Sequence, residues 1–386
     1  MTEFLIEEIP LGDARLRDFV EVPWRLHRGD PNWTPPLRAE YLGSRLLGLP
    51  GLLTPRHPYH QHAEVTHFLA RQGHNLLGRI SAAINHRFND HHHTQIGFFG
   101  FFETVQDFDV ASALLDAARN WVTERGLKVL RGPGEYSNAT HERQGVLISG
   151  FEYPPTVELT HNPPYYGEFL DRYGFHKAKD YHAHVGDELR SEDASRLARI
   201  AERVRTRHGI TTRMADLKSL SEEIRLLVSI YNEAWAKNWG FLPLTDEEAH
   251  ALAESLRPVL IPQLLRFAFV KGEPAAVVGA IPDLYVALRP RWRPPLDTDL
   301  VRTARVLLQR RRIRRLRGMF FGIRPAFRQM GIDAVLFSEV IAAGLRLGYT
   351  WIESSMMLEN NEAIIMLVEA LGTRLYKTWR IYDLDL

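Results

Sequence analysis

The segment of this chain whose residue types and spacing best suit chemistry is Arg328–Ala334, within the phrase IRPAFRQMGIDAVL. It joins a predicted strand to a predicted helix, and Gly331 lets the backbone turn tightly and approach a ligand. The backbone N–H groups of residues 330–334 would point out of the helix N-terminus, where the helix dipole favours phosphate or pyrophosphate. Arg328 adds a positive charge. The pattern predicts an anion site, and an ordinary loop before a helix is the alternative.

The elements that must position this segment occur twice along the chain. Residues 110–126 and 334–348 each place apolar side chains on one helical face and end at a glycine. In both copies a strand, a second helix with its own glycine stop and an aromatic-rich strand follow. An apolar hairpin and a buried strand precede each copy. This order predicts an α/β fold with a mixed sheet and helices on both faces, in two domains, 1–187 and 188–386.

Length and composition agree with two domains and exclude several functions. A chain of 386 residues is too long for one ordinary domain. The absence of cysteine excludes disulfides, thiolate metal sites and a cysteine nucleophile, and the histidines form no zinc-ligand pattern, so no metal is predicted. A net charge of +1 gives no global basic field. No apolar run reaches the ~18 residues of a membrane span. We therefore expect a cytoplasmic protein with no membrane contact.

A strand MFFGI, the 328–334 loop, a helix ending at Gly348, a strand TWIESS and the phrase ENNEAIIMLVEALG follow one another in the second half. This succession resembles the GNAT acyl-CoA N-acyltransferase superfamily. The phrases GDPNWTPPL, GFFGFFE, HNPPYY and YKTWRIY resemble a bacterial family of tandem GNAT proteins. The resemblance implies two GNAT-like domains, acetyl-CoA or another acyl-CoA as cosubstrate, and transfer of the acyl group to the amine of a small molecule or peptide.

The resemblance also implies which residues hold the donor. The predicted cofactor-binding residues are Phe321, Gly322, Ile323, Arg328, Gln329, Met330, Gly331, Ile332, Asp333, Ala334 and Asn360. Two positions depart from the superfamily pattern. Asp333 replaces a usual glycine, and its carboxylate should repel a pyrophosphate unless it points away, although it suits the first turn of a helix. Leu367 stands where many members have a tyrosine that protonates the leaving thiolate.

For the transfer itself, an attacking amine must lose a proton, usually to a carboxylate or water. Glu353 is the candidate base, and an ion pair with one of the arginines is the alternative. Tyr376 is the candidate acid, and a packed sheet aromatic is the alternative. A backbone N–H of strand 319–323 would stabilise the thioester oxygen.

The first half lacks the glycine loop, and its helix is preceded by Glu103, Asp107 and Asp109. Because carboxylates at a helix N-terminus repel phosphate, we predict that this half is degenerate for CoA. Its long insert is predicted to shape an acceptor pocket, with a solvated loop as the alternative. The insert residues in question are Glu135, Tyr136, Asn138, His141 and Glu142.

Eight arginines lie in Arg302–Arg317. This segment is predicted to be helical, or helix plus strand, and mostly exposed, since buried guanidinium groups need partners. It is a possible RNA contact. The favoured function is acyl-CoA-dependent N-acyl transfer to an amine. The alternatives are an aminoacyl transferase that uses aminoacyl-tRNA, and a non-catalytic acyl-CoA or ligand-binding module.

Overall fold

The computed structural model describes residues 4–136, 143–188, 191–293 and 295–386. The chain forms two compact units. Unit 1 comprises Met1–His182, Tyr285–Leu308 and Lys377–Leu386, and unit 2 comprises Ala183–Leu284 and Gln309–Tyr376. Each unit therefore contains segments from both halves of the sequence. The division at residues 187 and 188 stays a prediction about the sequence halves.

The strands and helices follow one another as β1 (Leu5–Pro10), α1 (Leu16–Leu26), α2 (Arg38–Leu42), β2 (Ala63–Gln72), β3 (Asn75–Asn85), α3 (His86–His92), β4 (Ile96–Thr104), α4 (Phe108–Thr123), β5 (Val129–Gly134), β6 (Val146–Ser149), α5 (Tyr165–Tyr173), β7 (His176–Gly186), α6 (Ser191–His208), β8 (Ile210–Met214), α7 (Leu220–Ala234), α8 (Asp246–Leu256), β9 (Leu265–Val270), β10 (Glu273–Pro282), α9 (Tyr285–Leu288), α10 (Asp299–Gln309), β11 (Arg315–Ile323), α11 (Ile332–Arg346), β12 (Trp351–Leu358), α12 (Glu362–Ala370) and β13 (Arg374–Asp385).

The sheet of unit 1 has the strand order β1-β2-β3-β4-β5-β13, with β6 also beside β13. The hairpin of β2 and β3 is antiparallel, and β4 and β5 are parallel. The last strand of the chain closes this sheet, with Tyr382 opposite Gly132. The amphipathic helix α4 buries its apolar face on the sheet through Val110, Leu114 and Trp121. The sheet of unit 1 is therefore completed by β13, at the C-terminal end of the chain.

The sheet of unit 2 has the order β7-β12-β11-β10-β9-β8. Here β9, β10 and β11 are antiparallel neighbours and β11 is parallel to β12. Helix α7 packs its apolar face against the sheet, with Leu227 and Ile224 against Phe267 in one buried cluster. Glu339 of α11 pairs with Arg205 of α6 and with Arg266 of β9, which fixes α11 within the unit.

The repeat predicted from the sequence is confirmed. Each half contains a strand, helix, strand, helix and strand in that order: β4, α4, β5, α5 and β7, then β11, α11, β12, α12 and β13, with β6 added in the first copy. Both predicted hairpins are present as β2–β3 and β9–β10. The mixed α/β class follows from a parallel central pair that is flanked by antiparallel strands in each unit.

The arginine-rich segment is helix plus strand as predicted, but the expectation of general exposure is wrong for two of its arginines. Arg302 is fully buried and Arg317 is 3% exposed, whereas Arg310–Arg312 and Arg314 are exposed. The Arg302 guanidinium donates to the carbonyl oxygens of Pro35, Pro36 and Leu288 at 2.6, 3.0 and 2.9 Å. These hydrogen bonds replace the hydrogen bonds to water that the guanidinium loses when it is buried. Burial lowers the pKa of Arg302 to about 10.

A buried histidine joins three parts of unit 1. His67 of β2 is fully buried. Its Nδ1 lies 3.1 Å from the Ile9 carbonyl and its Nε2 lies 2.9 Å from the Tyr136 hydroxyl. Because a carbonyl only accepts, Nδ1 carries the proton and Nε2 accepts from Tyr136. Burial lowers the pKa of His67 from 6.5 to about 4.

The lowered pKa of His67 predicts that the folded protein loses stability in mild acid. Between about pH 6.5 and pH 4 the unfolded chain binds a proton at residue 67 and the folded chain does not, so stability falls as the pH falls through that window. The loss at this one site is about 3 kcal/mol. Urea unfolding across the window should show a shallower pH dependence for His67→Gln than for the native protein. His86→Gln, at a half-exposed histidine, is the control. Identical pH slopes in the native protein and His67→Gln would contradict the assignment.

Candidate functional site

The predicted anion loop of unit 2 has the expected strand–loop–helix form. A 3-10 turn, Pro325–Phe327, follows β11, and Gly331 is the N-cap of α11 with a φ of 73°. Gln329 also has a positive φ, 64°. A left-handed residue at position 331 explains the glycine there, because side chains disfavour that conformation.

Two contacts of this loop are not predictable from its sequence. The Arg328 guanidinium donates to the Ala234 carbonyl at 2.7 Å and to the Ile323 carbonyl at 3.4 Å. Val204 of α6 lies against Gly331, where an added Cβ would be 3.0 Å from a methyl group of Val204. Arg328 therefore holds the loop against β11 and α7, and α6 covers one side of Gly331.

The strand part of the predicted donor site lies where β11 extends beyond its ladder with β12. Their ladder ends at Gly318 and Ser354, although β11 continues to Ile323. The Phe321 carbonyl accepts a 2.9 Å hydrogen bond from the Trp235 indole, and Gly322 lies against Ala234. Residues 321–323 and Arg328 are thus brought together. Asn360 lies in the turn after β12, is exposed and makes no side-chain hydrogen bond within the described residues.

The two predicted catalytic side chains meet. Glu353 of β12 is fully buried, and the hydroxyl of Tyr376 at the start of β13 donates to its Oε2. Glu353 also stands opposite Arg317 in the parallel ladder. The pair is a buried hydrogen-bonded unit, and its role in catalysis stays a prediction.

Unit 1 contains a cavity of about 100 Å³ at the C-terminal ends of β4 and β5. Ligands of open α/β sheets bind outside the carboxyl ends of parallel strands. The lining is rich in arginine, glutamate and histidine side chains, which are Arg38, Arg79, Glu103, Glu135, Arg143 and His161. Trp24, Trp33 and Tyr285 add apolar walls.

Glu103, near the end of β4, carries the first carboxylate of this pocket. Its Oε2 accepts hydrogen bonds from His27 Nε2 and from the Tyr166 hydroxyl, each at 2.7 Å, and its Oε1 lies 3.8 Å from Arg79. Burial alone would raise its pKa, but His27, Arg79 and Tyr166 together hold the pKa of Glu103 below its ordinary value. The carboxylate is therefore ionised at neutral pH.

Glu135, directly after β5, carries the second carboxylate. The Tyr41 hydroxyl donates to it at 2.5 Å and Arg143 donates at 3.1 Å. Arg143 also donates to Glu40 at 2.5 Å. Burial raises the pKa of Glu135 above its ordinary value, against the opposing effect of Arg143. Neighbouring carboxylates with pKa values shifted in opposite directions are typical of sites that move protons.

A histidine lies on the same wall. His161 Nε2 is 3.4 Å from Asp30 Oδ2, and its Nδ1 is buried without a hydrogen-bond partner among the described residues. Burial lowers the pKa of His161. The imidazole is thus neutral at neutral pH, and one of its nitrogens is held by a carboxylate.

The sequence indicated part of this pocket. Glu135, expected to help shape an acceptor pocket, lines it, and the ring of Tyr136 packs against Phe101, another lining residue. Asn138, His141 and Glu142 lie outside the described residues. Glu103 was interpreted as a helix N-terminal charge, but it belongs to β4, and Asp107 is the N-cap of α4. The partners His27, Tyr41 and Tyr166 were missed, because each is far from its carboxylate in the sequence.

No group of three or more histidine, cysteine, aspartate or glutamate side chains in the described part of the chain is placed to hold a metal ion.

Solved structures identify the class of the fold. A tandem GNAT protein from the clavulanic acid biosynthesis pathway superposes over 99% of this chain and 98% of its own, with a TM-score of 0.56 and 12% identity. The fold is therefore that of a tandem GNAT protein, as predicted, and its structural neighbours include GCN5-related N-acetyltransferases. No family model matches the chain.

Two curated relatives match almost end to end. A bacterial ceramide synthase of Caulobacter vibrioides is 33% identical over 96% of this chain and 94% of its own length. Protein YghO of Escherichia coli is 28% identical over 97% of this chain and 93% of its own length. The chain belongs to the family of this bacterial ceramide synthase.

The buried hydrogen bond from Tyr41 to Glu135 predicts that two tyrosine substitutions will differ in their effect on the free energy of unfolding. Tyr41→Phe leaves a buried carboxylate without one donor and should lower the free energy of unfolding by about 1–3 kcal/mol. Tyr173→Phe removes a hydrogen bond of similar length, 2.6 Å to Asp116, at an exposed position, and should cost less than about 1 kcal/mol. Urea unfolding of both variants checks this order, and equal losses would show that Glu135 does not depend on Tyr41.

Proposed function

We propose that this protein is an N-acyltransferase that forms an amide from the acyl group of an acyl-CoA and the amino group of a long-chain amino alcohol. The GNAT fold supports acyl transfer in general. The relative that is named a ceramide synthase supports the choice of substrates, because a ceramide is the amide of a fatty acid and a long-chain amino alcohol. We therefore favour a fatty acyl donor over the acetyl donor that the superfamily resemblance suggests.

The observation that carries the proposal is the ionised Glu103 in the pocket of unit 1. A protonated amine must be held and then deprotonated before it can attack a thioester. Glu103 is negative at neutral pH and is fixed by three partners, so it binds the ammonium group and accepts a proton from it. His27 Nε2 already donates its proton to this carboxylate at 2.7 Å, so the proton that Glu103 accepts from the ammonium group is passed on to water.

The covalent step is simple in outline. The nitrogen lone pair of the amine attacks the thioester carbon, the new C–N bond forms, and the C–S bond breaks. CoA leaves as a thiolate that takes up a proton, and the nitrogen loses one. The second cluster, Glu135 with Tyr41 and Arg143, offers hydrogen bonds to the hydroxyl group of the amino alcohol. Trp24 and Trp33 give an apolar wall for its chain.

For the donor, we propose that CoA binds at residues 321–323 and 328–334 of unit 2. The left-handed Gly331 at the N-terminus of α11 supports this choice, and the extension of β11 beyond its ladder with β12 gives open strand edge for the pantetheine arm.

The test of the acceptor site compares two buried glutamates. Amide formation from a fatty acyl-CoA and a long-chain amino alcohol is followed by mass spectrometry. Glu103→Gln should lower kcat by about 100-fold or more, the usual contribution of acid–base groups. Glu353→Gln makes the same change at the fully buried carboxylate of unit 2 and should have a smaller effect. Circular dichroism confirms that both variants fold.

The reverse order of the two effects would move the base to Glu353, the residue predicted from the sequence. A native protein that forms no amide with any fatty acyl-CoA or acetyl-CoA, but still binds CoA, would support the non-catalytic alternative.

The donor site is tested by isothermal titration with CoA. Gly331→Ala and Gly331→Glu add the same Cβ against Val204 and impose the same backbone strain, so their difference isolates the negative charge. Gly331→Glu should bind CoA at least about tenfold more weakly than Gly331→Ala, because charge-assisted amide–phosphate contacts are lost. Equal affinities of the two variants for CoA would show that the pyrophosphate does not bind at this loop.

A further inference from the structure

Helix α10 has the reverse of the usual amphipathic arrangement. On a helix, positions 300, 304, 307 and 308 share one face. This face is exposed and apolar: Leu300 is 67%, Leu307 is 60% and Leu308 is 83% exposed, and Ala304 is exposed as well. Arg302, on the opposite face, is fully buried. A helix of a soluble monomer normally buries its leucines and exposes its arginines.

The orientation of α10 is fixed by polar contacts within unit 1. Arg302 donates to three carbonyl groups, as described above. Asp299, at the start of α10, accepts hydrogen bonds from the backbone N–H groups of Arg38 and Ala39 at 3.1 and 2.7 Å. Both side chains project from the inner face, and rotating the helix to bury its leucines would break all of these bonds. The leucine face is therefore held outward by the structure.

Positive charge flanks this apolar face. Arg291 and Arg293 are exposed in the segment before α10, and Arg310–Arg312 are exposed in the turn that directly continues it. Leu296, in the same preceding segment, is 38% exposed. An apolar helix face with arginines on its borders is the composition of helices that lie in the interface of a bilayer. Among the described residues no helix is both long and apolar enough to cross a membrane.

We propose that α10 and its flanking arginines form a contact surface for an anionic membrane. Leu300, Leu307 and Leu308 enter the headgroup–acyl boundary, and the arginines pair with anionic headgroups. This proposal departs from the expectation of no membrane contact, which was drawn from the sequence alone. The surface belongs to the segment that also supplies Tyr285 to the pocket of unit 1, so a lipid-like amine would be taken up beside the bilayer that contains it.

The leucines distinguish a membrane from RNA, the partner that the arginines alone suggested. Contact with a phosphate backbone requires cations and does not require exposed leucines. Conversely, a contact with another copy of this chain would not require the exposed arginines. An anionic bilayer uses both parts of the surface.

Vesicle sedimentation tests the proposal without substrate, so its result is independent of the proposed enzymatic function. The protein should bind vesicles of phosphatidylcholine mixed with phosphatidylglycerol, and bind vesicles of phosphatidylcholine alone more weakly. The combined variant Leu300→Ser, Leu307→Ser and Leu308→Ser should weaken binding to the mixed vesicles by about tenfold or more. Replacing Arg310, Arg311 and Arg312 by Gln should weaken it by a similar factor. Leu46→Ser, at a leucine that is 82% exposed outside this surface, is the matched control and should bind as the native protein does.

The lack of cysteine allows a second readout. A polarity-sensitive dye on Ala304→Cys should shift to the blue with mixed vesicles, whereas the same dye on Glu124→Cys, at an exposed position of unit 1, should not. Three outcomes would overturn the proposal: no binding to mixed vesicles, an unchanged affinity in the leucine variant, or equal shifts from both dyes. Salt-dependent binding of RNA without vesicle binding would assign the arginines to RNA, and a dimer that the leucine variant abolishes would assign the face to self-association.

Discussion

The structure of unit 1 depends on the pairing of charges that folding removes from water. Glu103, Glu135, Arg79 and Arg143 all line one small cavity, and a buried charge without a partner costs several kcal/mol. Each therefore needs an opposite charge or a hydrogen-bond donor from elsewhere in the chain. His27 comes from the end of α1, Tyr41 from α2 and Tyr166 from α5. The N-terminal helices are thus held in place by the same contacts that set the chemistry of the pocket.

The same constraint explains why a segment from the second half of the sequence belongs to unit 1. Arg302 cannot be buried without acceptors, and it finds them at Pro35, Pro36 and Leu288. Asp299 in turn satisfies two N–H groups at the start of α2, which has no side-chain acceptor of its own at those positions. These polar contacts on the inner side of α10 decide which face of the helix remains outside. The exposed leucines are a consequence of them.

Features that depend on neighbouring residues could be predicted from the sequence, whereas contacts between residues far apart in the sequence could not. The repeated strand–helix–strand order and the tight turn at Gly331 follow from local periodicity and turn chemistry, and they were predicted. Glu103 was misplaced because its neighbours in the sequence, Asp107 and Asp109, suggested a helix start. Its real partners are 76 and 63 residues away, at His27 and Tyr166. A single sequence contains no local signal for such pairs, nor for Val204 against Gly331.

The two copies of the repeat differ at the ends of their parallel strands. In unit 1 the ladder of β4 and β5 continues to Gly100 and Gly134, and an added Cβ at Gly100 would lie 2.0 Å from the Gly134 carbonyl oxygen. The two backbones are in contact there, which leaves space for a ligand only beyond the strand ends, in the charged pocket. In unit 1 only β4 runs on past the ladder, to Thr104, because β5 ends at Gly134. In unit 2 both strands run on past Gly318 and Ser354, β11 to Ile323 and β12 to Leu358. In unit 1 the strands stay in close contact and end near Glu103 and Glu135, which suits an amine. In unit 2 the strands separate and lead to a helix N-terminus, which suits a phosphorylated thioester.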